Sequence, residues 1–292
     1  TLVGGSGNTY FVADEYDLII GSGNGDTLEI RGDVGKRGVY LTDDRLTGVG
    51  TVLTPSAREV DLSFQSESLQ IINGSNSTVR SGSGSDLIWL SKFGSYRSAI
   101  FSGPGSDTLI SSGASQDLLD GGAGVDLVSY ASASYALIVD LNSGVLKRRV
   151  GSVYIGGDTL LSIEHVIGGQ SGDSIVGNEF NNLLDGGAGN DSILGGTGND
   201  TMRGGEGSDT LGFGGNRSAY TVSIISQSDS VYQISSTAEG NDVVSGFEWV
   251  QFADTLMAVQ SLIQNAETIK FYSLQANADS VEEGQTASFT LT

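Results

Sequence analysis

Between residues 168 and 212 the chain divides into five consecutive nonapeptides: GGQSGDSIV, GNEFNNLLD, GGAGNDSIL, GGTGNDTMR and GGEGSDTLG. A period this short constrains the fold severely. No nine-residue unit can bury a core alone, so the units must stack on one another. The eighth position is always apolar: Ile175, Leu184, Ile193, Met202 and Leu211. Paired glycines let the chain turn at positive φ with little steric cost, and the triplet around each apolar residue is a very short strand with one side chain facing in. Two nonapeptides then make one flattened coil of eighteen residues. Stacked coils align Ile175, Ile193 and Leu211 on one inner wall and Leu184 and Met202 on the other. The expected fold is all-β, a parallel β-roll or β-helix solenoid.

The same spacing stacks the sixth positions. Asp173, Asp191 and Asp209 fall in one file, Asn182 and Asp200 in the opposite one. Carboxylates held about 5 Å apart repel unless a cation lies between them. The turns add backbone oxygens, with Gly186, Ala188, Gly195 and Thr197 the candidate donors. Two carboxylates and several carbonyls make a hard, all-oxygen site, suited to Ca²⁺ and too large and irregular for Mg²⁺. Ions are expected between Asp173 and Asp191, between Asp191 and Asp209, and between Asn182 and Asp200. Composition points the same way. The chain has 14 Lys+Arg against 35 Asp+Glu, a net charge of −21, and no Cys for a thiolate site. That balance argues against nucleic acid, whose phosphates need clustered Lys and Arg. No apolar run approaches the roughly 18 residues of a membrane span.

The last three nonapeptides match G-G-x-G-x-D-x-U-x throughout, U being a large apolar residue, and the block resembles the repeats-in-toxin (RTX) calcium-binding family. DGGAGVDLVSYASASYALIVDLNSG (120–144) and GDTLLSIEHVIGG (157–169) resemble segments that precede such blocks, and FGGNRSAYTVSI (213–224) with GNDVVSGFEWVQFADTL (240–256) resembles the strand-rich cap that follows them. The resemblance implies a roll that is disordered without Ca²⁺ and folds around several ions outside the cell, after type I secretion. It also implies a secreted or cell-surface location.

Upstream the motif persists in degraded form. SGSGSDLIW (81–89), SGPGSDTLI (102–110) and SGASQDLLD (112–120) keep Asp86, Asp107 and Asp117, and Asp126 ends GGAGVD. Asp107 and Asp126 are added as candidate metal ligands, although the extra Ser111 sets them nineteen apart rather than eighteen. The expected organisation is a degenerate solenoid region over 1–130, a strand-rich lead-in over 131–167, the calcium-binding roll over 168–212, a C-terminal cap over 213–264, and a linker opening a further module over 265–292. A small β-sandwich is the alternative for 30–72, where strands alternate polar and apolar. The last stretch, FYSLQANADSVEEGQTASFTLT (271–292), resembles the start of a Calx-beta or immunoglobulin-like adhesin module.

No catalytic constellation emerges. The one histidine, His165, excludes HExxH and makes a Ser-His-Asp triad improbable; it reads as a strand residue. Lys147, Arg148 and Arg149, the one basic cluster, read as an exposed strand or turn, and Trp249 and Phe252 as core of the cap. The expectation is a non-enzymatic calcium-binding module of a large bacterial surface or adhesin-like protein, whose other modules reach a cell-surface or glycan ligand. The alternative is the calcium-binding C-terminal part of a type I secreted enzyme such as a protease, lipase or epimerase.

Overall fold

The computed structural model describes residues 2–3, 10–12, 19–20, 26–29, 39–42, 46–47, 49–54, 59–74, 76–90 and 97–262. Two sheets of 13 strands each face one another, and the chain crosses between them at every half-coil. Within the repeats the strands are triplets: Ser174–Val176, Ser192–Leu194 and Thr210–Gly212 stack in parallel in one sheet, Leu183–Asp185 and Thr201–Arg203 in the other. Each triplet turns its central side chain inward. Ile175, Leu184, Ile193 and Leu211 are 0% exposed and Met202 1%. Partners differ by eighteen residues (Ser174 with Ser192, Leu183 with Thr201), as the period requires.

The same two sheets continue upstream with looser coils. Leu87 pairs with Thr108, 21 residues on, and Thr108 with Leu127, 19 on. Glu59–Phe64 and Val49–Thr54 lie on opposite sheets, each paired in parallel with the next coil, so these strands are solenoid and not sandwich. These coils are stitched by neutral polar side chains. Thr54 Oγ1 donates to Asn73 Oδ1 at 3.0 Å, Ser77 Oγ donates to the same oxygen, and Ser102 Oγ donates to the Asp120 and Gly121 carbonyls at 3.0 Å.

One interruption divides the stack. The first sheet passes directly from Leu127–Ser129 to His165–Ile167. The second inserts Val153–Leu161, Val145–Val150 and Leu137–Asp140 between Leu118–Asp120 and Ser174–Val176. These strands pair antiparallel with each other and parallel with the coils on either side. Lys147 and Arg149 stand exposed on this hairpin, and Arg148 lies over the Tyr135 ring at 5.7 Å.

At the C-terminal end, Gly240–Ser245, Val231–Ser236 and Thr221–Ser226 form an antiparallel meander on the first sheet. Leu256–Ala258 closes the second sheet by pairing antiparallel with Trp249–Gln251. Phe213, Tyr220 and Phe252 cluster beneath, with ring centroids 4.8–5.5 Å apart. Phe252 is buried, but Trp249 is 42% exposed. Three positions apart, the two cannot share one face of a strand, and Val250 takes the inward place. No helix among the described residues is long and apolar enough to cross a membrane. The adhesin-like stretch 271–292 lies outside the described residues.

The turns are tight enough to fix their residue types. Gly207 has φ +141°, and a Cβ there would lie 1.7 Å from the Gly189 carbonyl oxygen of the coil below. Gly207→Ala combines a disfavoured backbone with that clash. A calcium-saturated thermal melt is expected to show a loss of about 3 kcal/mol.

Candidate metal centre

Each sixth-position carboxylate sits where a turn becomes a strand, and its two oxygens have different fates. Oδ1 accepts the backbone N–H of the equivalent residue one coil earlier. Asp173 N donates to Asp191 Oδ1 at 2.6 Å and Asp191 N to Asp209 Oδ1 at 2.8 Å. In the opposite file Asn182 N donates to Asp200 Oδ1 at 2.8 Å and Asp200 N to Asp242 Oδ1 at 2.9 Å. Oδ2 of Asp191, Asp200 and Asp209 is buried and accepts no hydrogen bond. A buried carboxylate oxygen left in this way costs heavily unless a positive charge meets it.

The surroundings show what could meet it. A Cβ placed on Gly186 would lie 2.4 Å from Asp191 Oδ2 and 2.5 Å from the Gly204 carbonyl of the next coil. One on Gly168 would lie 2.8 Å from Asp173 Oδ2 and 2.3 Å from the Gly186 carbonyl. Two electron-rich oxygens thus converge on a small space that a side chain would fill and that only glycine leaves open. Among the described residues no three His, Cys, Asp or Glu side chains group as a metal site. A cation here therefore depends on backbone carbonyls, as the hard-oxygen chemistry of calcium allows.

Burial is the main force on these acids, and it opposes ionisation. It pushes Asp173, Asp191 and Asp200 up to about 6, and Asp242 to about 7. Like charges in the file add to the rise at Asp191, while the N–H donated by Asp173 opposes it.

The candidates from the sequence do not all behave alike. Asp173, Asp191 and Asp209 form the expected file. Asp173 is the more satisfied, since its Oδ2 accepts Gly169 N–H at 2.6 Å and its Oδ1 accepts Leu137 N–H at 2.7 Å. Asn182 turns its Nδ2 to the Glu164 carbonyl and Asn178 Oδ1, so that gap holds one carboxylate, from Asp200. The Gly186 and Gly195 carbonyls face the cradles at Gly168 and Gly177, whereas Ala188 and Thr197 N–H groups bond the Gly169 and Asn178 carbonyls.

Upstream, Asp107 N donates to Asp126 Oδ1 at 2.8 Å despite the nineteen-residue spacing. The strands that follow them, Thr108–Ile110 and Leu127–Ser129, pair within the first sheet, and the longer turn 111–117 absorbs Ser111. Oδ2 of both is buried and unpartnered, and burial pushes Asp107 to about 7 and Asp126 to about 6. The file also holds Asp86, whose N–H donates to Asp107 Oδ1 at 2.7 Å. Sequence reading missed Asp242 as a file member. The signal was GNDVV at 240–244, the second half of a nonapeptide, hidden by the 42 residues between Asp200 and Asp242. His165 is indeed a strand residue, its Nδ1 accepting Leu183 N–H at 2.9 Å.

One coil is closed without a vacancy. Asp158 Oδ2 accepts Ser111 Oγ at 2.9 Å and Tyr130 OH at 3.3 Å, and its Oδ1 accepts Asp117 N–H at 3.1 Å. Burial first, then the Asp117 charge, raises Asp158 to about 7 from 3.8. A carboxyl raised on folding adds stability that is full below its unfolded value and lost as pH climbs through the folded one. In saturating calcium the melting temperature is expected to fall as pH rises from about 4 to about 7 and to level off above that, and Asp158→Asn to flatten that fall.

The fold and these carboxylate files define a metal-binding parallel β-roll. The family described as the RTX calcium-binding nonapeptide repeat matches the chain in 4 copies, at residues 99–128, 167–202 and 176–211. Those segments match the repeats of that family, and the match supports a calcium-binding β-roll. A search among curated proteins found no match.

Proposed function

We propose that the chain is a structural module of a secreted, adhesin-like surface protein, and that calcium drives it from an open chain to a stiff roll. The observation that carries this reading is the set of buried Oδ2 atoms on Asp107, Asp126, Asp191, Asp200 and Asp209, none of which accepts a hydrogen bond. Asp173 with Asp191, and Asp191 with Asp209, would hold ions together with the Gly186 and Gly204 carbonyls. Asp107 with Asp126 would do so upstream, and Asp200 with fewer charged partners in its gap. Calcium, when bound, supplies the positive charge that facing carboxylate and carbonyl oxygens need. The residues themselves position those oxygens, exclude side chains through glycine, and tie coil to coil through the Oδ1 bonds.

RTX repeats are typical of secreted proteins, and extracellular calcium modules bind with dissociation constants of about 10⁻⁴–10⁻³ M. On this reading the repeat block stays open in the cytosol and folds outside by mass action. A non-enzymatic role fits His165, whose ring is used to accept a backbone N–H. The test is a calcium titration of the chelated chain followed by circular dichroism, with magnesium beside it. A cooperative gain of β signal specific to calcium supports the reading, and identical traces with and without calcium overturn it.

A further inference from the structure

At two places in the carboxylate files a glutamate takes the position after an aspartate: Glu164 follows Asp126 and precedes Asn182, and Glu248 follows Asp209 at the end of its file. Asp126 N donates to Glu164 Oε2 at 2.9 Å, and Asp209 N donates to Glu248 Oε2 at 2.7 Å. These bonds copy the one that Asp191 N makes to Asp209. The likeness extends to the backbone. A Cβ on Gly121 would lie 2.7 Å from Asp126 Oδ2 and 2.2 Å from the Ser162 carbonyl; one on Gly204 would lie 2.7 Å from Asp209 Oδ2 and 1.9 Å from the Gly246 carbonyl. The Gly186 cradle has the same pair, Asp191 Oδ2 and the Gly204 carbonyl, at 2.4 and 2.5 Å.

The two segments reach this arrangement by a shorter path. In a nonapeptide the carbonyl and the acid are five residues apart, as in Gly204 and Asp209. In SIEH (162–165) and GFEW (246–249) they are two apart. A left-handed residue, Ser162 at φ +50° or Gly246 at φ +67°, makes the turn, and the extra methylene of Glu over Asp makes up the reach. In each segment the strand that follows is anchored alike, with Glu164 and His165 N–H on the Asp126 carbonyl, and Glu248 and Trp249 N–H on the Asp209 carbonyl. Asp126 and Asp209 are both 0% exposed, with Oδ2 aimed into the cradle and unpartnered.

We infer that Glu164 and Glu248 are calcium ligands, each forming a site with the carboxylate of Asp126 or Asp209 and the carbonyl of Ser162 or Gly246, Glu248 at the end of its file and Glu164 inside one, between Asp126 and Asn182. The inference rests on the calcium-roll reading and adds two sites whose second carboxylate comes from outside any nonapeptide. The rival role is a neutral one, in which each glutamate only accepts an amide hydrogen bond.

Glu164→Gln and Glu248→Gln separate these roles, because Gln keeps an oxygen for the amide and loses the charge. Calcium is titrated calorimetrically into the chelated parent and both variants, and melting is followed in chelator and in calcium. If the glutamates are ligands, each variant binds one ion fewer or binds one ion at least about tenfold more weakly, and calcium raises its melting point less than the parent's. Unchanged ion number and affinity in both variants, beside a parent that binds calcium, overturns the inference alone. A parent that binds no calcium overturns the roll reading as well. Should Glu248→Gln fail to fold, Glu164→Gln, in a different coil, decides.

Discussion

In chelator, the stretch from His165 to Ala258 is expected to lose its amide protection within the dead time of a hydrogen-exchange experiment, while 59–130 keeps part of its own. Millimolar calcium should restore the whole, and magnesium should not. The contrast follows from what joins the coils. In the repeats one apolar side chain per nine residues is buried, each worth about 2 kcal/mol, far short of the conformational entropy lost in ordering the other eight. The gap is widened by Asp173, Asp191, Asp200 and Asp242, all raised by burial because the metal-free roll resists their charge. Upstream Asp107 and Asp126 are raised by burial too, but more else holds the coils. Leu62, Leu69, Leu90 and Tyr130 add buried apolar mass, and hydroxyls of Thr54, Ser81 and Ser102 bond from coil to coil without any ion. Uniform collapse in chelator, or no change at all, would show that the two halves are not held by different means.

The second large effect is expected at Asp191. Its Oδ1 accepts the Asp173 N–H, its own N–H reaches Asp209, and its Oδ2 faces the Gly204 carbonyl. One side chain therefore belongs to two gaps. Asp173 has both oxygens already occupied by the Leu137 and Gly169 N–H groups. Asp191→Ala is expected to raise the calcium midpoint of folding by about tenfold or more, as befits a change in ligand charge count, and Asp173→Ala to raise it less. Asp191→Asn restores the Oδ1 hydrogen bond without the charge, and should stay close to Asp191→Ala if the ion is what matters. Equal midpoints for Asp173→Ala and Asp191→Ala would remove the shared-ligand geometry.

The repeat block was the most legible part of this chain. A strict period transmits directly into register, so Ile193 over Ile175 and Asp191 over Asp173 follow from counting. What was hidden lies where counting stops. The hairpin of Val145–Val150 and Val153–Leu161 has ordinary strand composition, and nothing local says that it will enter the second sheet between two coils. Asp242 returns to its file only after the meander that begins at Thr221, so its place depends on tertiary pairing with Thr201–Arg203. Glu164 and Glu248 were invisible for a related reason. Their role depends on a left-handed residue two positions earlier, and Ser162 gives no sign of adopting one. The nineteen-residue step from Asp107 to Asp126 looked like a break in register, yet a coil has two sides, and slack on one leaves the other undisturbed.

Both sheets finish on antiparallel strands, Thr221–Ser226 with an irregularity between Ile224 and Ser226, and the three-residue Leu256–Ala258. An open solenoid is by nature a template: its terminal coil offers the same bonding pattern as every coil before it, and another molecule's first coil could be added indefinitely. Reversing strand direction breaks that repetition, since the next coil no longer meets the parallel ladder that every earlier coil offered. For a stack of repeating coils, this is a safeguard against end-to-end polymerisation into fibres.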